Sequence, residues 1–350
     1  MPQADFESRG ARKIAFPTFR HAAAVILACI VFGRTDLIAA EQSGNSDALA
    51  EVLVTGERPG PEMWRVSKGN HDLWILATLA PLPKKMIWRS QAVEMRIASS
   101  QVVMTPPQFT PDIGFFRGIT LLPALLHARH SPDGKTLEEV LPHDLYIRWL
   151  ALRVKYLGHG DEKMRPMLAA FDLYSHALDQ VGLTPDDDEV WEVVKKTANA
   201  HHVPIEHINI KVPIDNPKSA IRGLDQIPRD AEIACLTKTM ERLETDLQPM
   251  VRRANLWSLG DIDGLRAMPF PNEGAACQDA FLTVPQLKSQ FSQVDASMDS
   301  VWLLAADNAL TNNVSSFTVL AIAELLEPDG LLAKLRARGY VVEEPQTEKK

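Results

Sequence analysis

Three short stretches have the residue types or the placement for chemistry. "HHVPIEH", His201 to His207, is the densest group of imidazoles in the chain, and imidazoles with a carboxylate are what a zinc-type centre uses. Its spacing fits neither zinc signature: HExxH is absent, and HxxEH fails by one residue. Pro204 also keeps His202 and His207 off a common helical face, so these residues read as the surface of an alternating strand. "DDDE", Asp186 to Glu189, lacks the glycine and the terminal ligand of a calcium loop and reads as the acidic first turn of a helix. "LWILATLAPLP", Leu73 to Pro83, has the opposite character. It reads as a buried strand entering a Pro-bounded loop, a usual mounting for catalytic groups, yet beyond its apolar strand residues it offers only two alanines, two prolines and the hydroxyl of Thr78. Trp64, Trp74 and Trp88 have the ring types of a sugar platform, but on strands and at a helix start they read as core. No GxSxG, Walker loop or GxGxxG occurs.

The elements that would position these groups can be read from periodicity. "MWRVSK-GN-HDLWILATL" predicts a β-hairpin, with Gly69 and Asn70 supplying the tight turn and the second arm apolar enough to be covered on both faces. "WRSQAVEMRIASSQ" then predicts a helix and "VVM", Val102 to Met104, a short strand, which together make a βαβ unit. Residues 114–260 read as a largely helical middle. Within it, Thr136 to Glu139 has capping-box spacing and Pro142 opens the next helix. "VPIEHINIKV" alternates as one strand, and "CLTKTMERLETDLQPMVRRANLW" reads as one long helical stretch. At the end, "DSVWLLAADNAL", "SSFTVLAI", "LLAKLRAR" and "YVVE" predict helix, strand, helix and strand, with Gly339 closing the last helix. The expected fold is α/β, with a central mixed sheet formed by both chain ends and a single domain over residues 58–345.

Composition excludes some classes of function. The 350 residues carry 45% hydrophobic and 23% charged side chains and a formal charge of −8, which is the wrong sign for a nucleic-acid groove. Arg9, Arg12, Lys13 and Arg20 precede the apolar run Ala22 to Phe32, with small residues at Ala39–Ala40. This is the pattern of a secretory signal with cleavage near Ala40, and the run is too short for a bilayer-spanning helix in the mature protein. The alternatives are an uncleaved anchor through residues 22–32 and, third, lipidation at Cys29. Export implies a periplasmic or secreted protein, with residues 41–57 a mobile lead-in and 346–350 a tail. Loss of residues 1–40 removes five cations and three anions, taking the charge from −8 to −10. It also leaves only Cys235 and Cys277, a pair expected to form a disulfide in an oxidising compartment.

Taken in order, the two ends resemble one family. "LWILATLAPLPKKMIWRSQAVEMRIASSQVVM" resembles the opening of the TraB/GumN family, related to the Tiki metalloproteases. "WLLAADNAL…SSFTVLAIAELLEPDGLLAKLRARGYVV" resembles its close, and "NLWSLGDIDGL" resembles a middle segment. The resemblance implies a GxxH motif after the first hairpin, a Glu ending the next strand, an Arg-Asn pair and a second GxxH, which together hold a divalent metal and its activated water. Carried over by position, those places fall on Ala77 and Ala80, on Thr105, on Met298 and Asp299, and on Ala321 and Glu324. None of the 18 glycines has a His three positions later, and no His follows His207. The expectation is therefore no catalytic residue, no metal and no cofactor, with Thr78 and Glu324 the residual polar groups. The expected role is a binding or scaffolding module in the cell envelope, with a protein or small-molecule partner and no nucleic acid. The alternative is a hydrolase or peptidase with a site rebuilt around Glu324 and His127, His130 or His176.

Overall fold

The computed structural model describes residue 53 and residues 56–112, 126–213, 221–271 and 274–345. The segment expected to be a signal, the cleavage expected near Ala40, the apolar run 22–32, Cys29 and the tail 346–350 lie outside the described residues. Of the stretch read as lead-in, Leu53 packs against the helical core described below.

The opening hairpin forms as its alternation predicts. β1 (Met63–Lys68) and β2 (His71–Thr78) pair antiparallel, and the turn between them uses Gly69 at φ 66°. β9 (Ser315–Ala321) pairs parallel with β2 along its length, from Asp72 opposite Ser315 to Thr78 opposite Ala321. β4 (Val103–Met104) and β7 (Ile205–Glu206) extend the sheet in parallel beyond β9, and β10 (Val341–Glu343) closes the other edge antiparallel to β1. The order is β10-β1-β2-β9-β4-β7, so the strands near the chain ends build all but β7. Consecutive residues Ile75–Thr78 and Ser316–Leu320 are all buried, which requires cover on both faces of the two central strands. On one of these faces Arg96 of α1 (Gln91–Ala98) lies 3.8 Å over the ring of Trp74. Trp64 and Trp88 are buried, so core packing is where most of the tryptophan surface goes.

The middle forms a second hydrophobic core. It is built from α2 (Leu137–Val140), α3 (His143–Tyr156), α4 (Pro166–Gln180), α6 (Arg229–Thr245), α7 (Leu247–Ser258) and α9 (Ala275–Leu282). Thr136 and Glu139 close the predicted capping box, the Thr136 N–H donating to Glu139 at 2.8 Å. α5 (Asp188–Ala200) packs instead against α1, and both α5 and α8 (Ile262–Arg266) belong to the sheet core. The approach to α5 is capped by Asp186, whose carboxylate accepts from the Asp188 N–H at 3.2 Å, which is the use expected for the acidic run.

Two readings of the middle need correction. The alternating stretch 203–212 is not one strand: β7 joins the main sheet, while β8 (Asn209–Pro213) pairs with β5 (Gln108–Asp112) in a separate ribbon. The long helical stretch 235–257 is likewise two helices, α6 and α7, broken at Asp246. The reason is Pro249. In an uninterrupted helix it would have no N–H for the Thr245 carbonyl and its ring would strike that carbonyl. The break lets α7 turn so that Leu247, Met250, Val251 and Ala254 enter the helical core while Trp257 enters the sheet core.

Cys235 of α6 and Cys277 of α9 form a disulfide, with Cα atoms 4.4 Å apart and both side chains buried. It closes a loop of 42 residues in sequence. In the chain-entropy account such a closure stabilises by about 4 kcal/mol. The Cys235→Ser, Cys277→Ser double variant is therefore expected to lose about 4 kcal/mol in urea titrations under oxidising conditions, and the wild type to lose the same when reduced.

Candidate functional site at the carboxyl end of the sheet

Connectivity marks one place on this sheet. After β2 the chain runs through β3 (Leu82–Pro83), which pairs antiparallel with β6 (Leu183–Thr184), and through α1 to β4, on the far side of β9. After β9 it runs the other way, through α11 (Ile322–Leu326) and α12 (Leu331–Ala337), to β10 beyond β1. Neighbouring parallel strands whose connections leave in opposite directions open a crevice at their carboxyl ends, where α/β proteins bind ligands. Here that end is Thr78 opposite Ala321.

The structure therefore brings together Ala77, Thr78, Ala80, Ala321 and Glu324, with Thr105 just past β4, two strands away from β2. The polar groups there are turned inward. The Thr78 hydroxyl donates to the Leu320 carbonyl at 3.3 Å, and the Thr318 hydroxyl donates to the Met104 carbonyl at 3.1 Å. Thr105 is buried. Its hydroxyl oxygen accepts from the Ile208 N–H at 2.9 Å, and this bond holds the chain where it leaves β7 for β8. Ala77 is fully buried, and its carbonyl accepts from the indole Nε1–H of Trp257 at 3.1 Å. Ala80 precedes a cis peptide bond to Pro81.

Glu324 lies in the first turn of α11, half-buried. Burial, then the negative charges of Asp299 and Glu327, push its carboxyl up to about 8, so at neutral pH it holds its proton. Asp299 sits in α10 (Pro285–Asn312), next to the half-buried Met298, and is itself ion-paired to Lys334 of α12. The histidines named for a rebuilt site partner elsewhere. His130 Nε2 lies 2.8 Å from Asp161, His176 Nδ1 lies 2.9 Å from the Asp172 carbonyl, and His127 is exposed. His201, His202 and His207 are exposed at the far end of α5 and past β7. Among the described residues no three His, Cys, Asp or Glu side chains converge to hold a metal ion. The donors at the carboxyl end, one carboxyl with no imidazole beside it and hydroxyls engaged with the backbone, do not fit a divalent-metal centre, which takes several carboxylate and imidazole ligands.

A model of the TraB/PrgY/gumN family matches residues 62–344. The chain belongs to this family. The match begins one residue before β1 and ends one residue after β10, so the TraB/PrgY/gumN unit takes in the whole main sheet and the helical core between its ends. The chain matches no curated protein and no solved structure. No helix among the described residues of this TraB/PrgY/gumN protein is long and apolar enough to cross a membrane.

Sequence reasoning missed Trp257 and the pairing of Asp299 with Lys334. Trp257 stood in the family-like segment "NLWSLGDIDGL", which was the available signal, but its target is a backbone carbonyl and leaves no trace in composition.

Proposed function

We propose that this TraB/PrgY/gumN protein is exported and acts as a binding or scaffolding module of the cell envelope, without the metal-dependent hydrolysis that its family resemblance implies. The observation that carries this reading is the use made of the strand-end groups. Thr78, Thr105 and the Ala77 carbonyl, at or beside the positions where ligands are expected, are committed to hydrogen bonds within the protein. A site that needs its hydroxyls and strand ends free for substrate does not spend them on its own backbone. Export rests on the basic and apolar character of residues 1–40 and is supported by the Cys235–Cys277 disulfide, a bond favoured in oxidising compartments.

The test is metal content. The protein is equilibrated with zinc, manganese and cobalt, desalted and measured by mass spectrometry. Near-zero retained metal is expected. One tightly held equivalent that disappears in Glu324→Ala would overturn the reading in favour of a hydrolase rebuilt around Glu324.

A further inference from the structure

The chain immediately ahead of β1 crosses the same end of the sheet. Leu53 packs on the helical core over Gly182. The Arg58 N–H donates to the Ile87 carbonyl at 2.9 Å, and the Arg58 carbonyl accepts from the Arg89 N–H at 2.8 Å, which fixes the chain to the loop that follows β2 and β3. Two residues on, the Gly60 N–H donates to the Ser258 carbonyl at 3.0 Å. Ser258 ends α7, so this bond satisfies one of the carbonyls that a helix leaves without a partner at its C-terminus. Met63 then enters β1 opposite Leu76, one residue before the Ala77 that Trp257 caps.

Close backbone approach makes this crossing specific. Gly60 adopts φ +90°, and a Cβ there would lie 2.4 Å from the ring of Trp88. Gly260 adopts φ +71°, and a Cβ there would lie 3.0 Å from the Gly60 carbonyl oxygen. Two glycines in the left-handed region thus meet backbone to backbone where α7 ends, a contact that no larger residue reproduces.

We propose that residues 56–62, anchored by Leu53, form a clasp across the carboxyl end of the sheet. The clasp holds the loop after β2 to the end of α7 and sets how far that end can open, and with it the access of any ligand. It joins three bodies: the helical core at Leu53, the post-β2 loop at Arg58 and the end of the bridging helix at Gly60. The inference does not depend on what binds at this end.

Hydrogen–deuterium exchange of the full chain tests it with two variants, Gly60→Val at the contact and Leu53→Asp at the outer anchor. Exchange in residues 79–90 and 257–262 is expected to quicken roughly tenfold in both, with β9 and α4 unchanged, as for a local opening below the global one. Faster exchange confined to residues 53–62, or spread evenly over the chain, would overturn the clasp. Should Gly60→Val not fold, the Leu53→Asp pattern on the same peptides decides.

Discussion

Glu232→Ala is expected to cost about 3–5 kcal/mol of stability, because it leaves a buried guanidinium without its main partner. Arg165 and Glu232 are both buried, and Arg165 Nε donates to the Glu232 carboxylate at 2.8 Å while its Nη2 makes a second, shorter contact. Asp225, 3.1 Å from Nη1, and the Leu224 carbonyl also face Arg165, which places the expectation toward the lower end of that range. Burial pushes the Glu232 carboxyl up even against the pull of Arg165, a sign that desolvation is the dominant cost at this pair. It follows that replacing both partners with apolar residues of similar volume, Arg165→Met with Glu232→Leu, should recover most of the loss. Urea unfolding of Glu232→Ala and of the Arg165→Met, Glu232→Leu double variant checks this. A single-variant loss below about 1 kcal/mol would mean that Asp225 and water satisfy Arg165 unaided.

The second large effect concerns pH. In the folded protein Glu324 keeps its proton up to about pH 8, whereas in the unfolded chain it releases it near 4.5. Between these values the folded state binds more protons than the unfolded one, so the contribution of this group to stability falls as pH rises through that window. The contribution is intact below about 4.5 and exhausted above about 8. The whole gap would correspond to about 5 kcal/mol at about 1.4 kcal/mol per pH unit. Water reaching the half-buried side chain reduces the expectation to about 2–4 kcal/mol. Asp133 and Glu139 are held below their ordinary range by Arg229 and Thr136, and Asp161, against its burial, by hydrogen bonds from His130 and the Lys163 N–H, so their stability is lost at lower pH; Glu232, which burial also raises, adds a slope of the same sign that Glu324→Gln leaves in place. Glu324→Gln should flatten the slope between pH 5 and 8 and be more stable than the wild type above pH 8, measured as urea midpoints across that range. An unchanged slope in Glu324→Gln would assign the titration to another group.

Local signals in this sequence were readable wherever a residue's task depends on its near neighbours. The Gly69–Asn70 turn, the Thr136–Glu139 box, the acids ahead of α5 and Gly339 at φ 85° all do what their spacing predicts. The unbroken apolar run of β2 foretold cover on both faces. What could not be read depends on partners distant in sequence. One alternating stretch gave two strands because its halves pair with β4 and β5, and pairing partners leave no local mark. Only the last part of α10 read as helix, although it continues from Pro285 for 28 residues. At the candidate site, the family resemblance carried over by position could locate Ala77, Thr78 and Glu324. It could not show that a carbonyl, rather than any side chain, is the group at Ala77 that the rest of the protein addresses.

The helix from Leu247 to Ser258 has a thermodynamic consequence. Its first turns are buried in one core and Trp257 is buried in the other, so neither core can lose its packing without exposing part of the same rigid rod. A chain with two separate hydrophobic cores would ordinarily be free to melt in two steps. Here the shared helix makes the free energy of each core conditional on the other, and the disulfide that restrains the helical core thereby also protects the sheet. Cooperativity, which in small domains comes from having one core, has a physical basis here in elements such as this helix that belong to both.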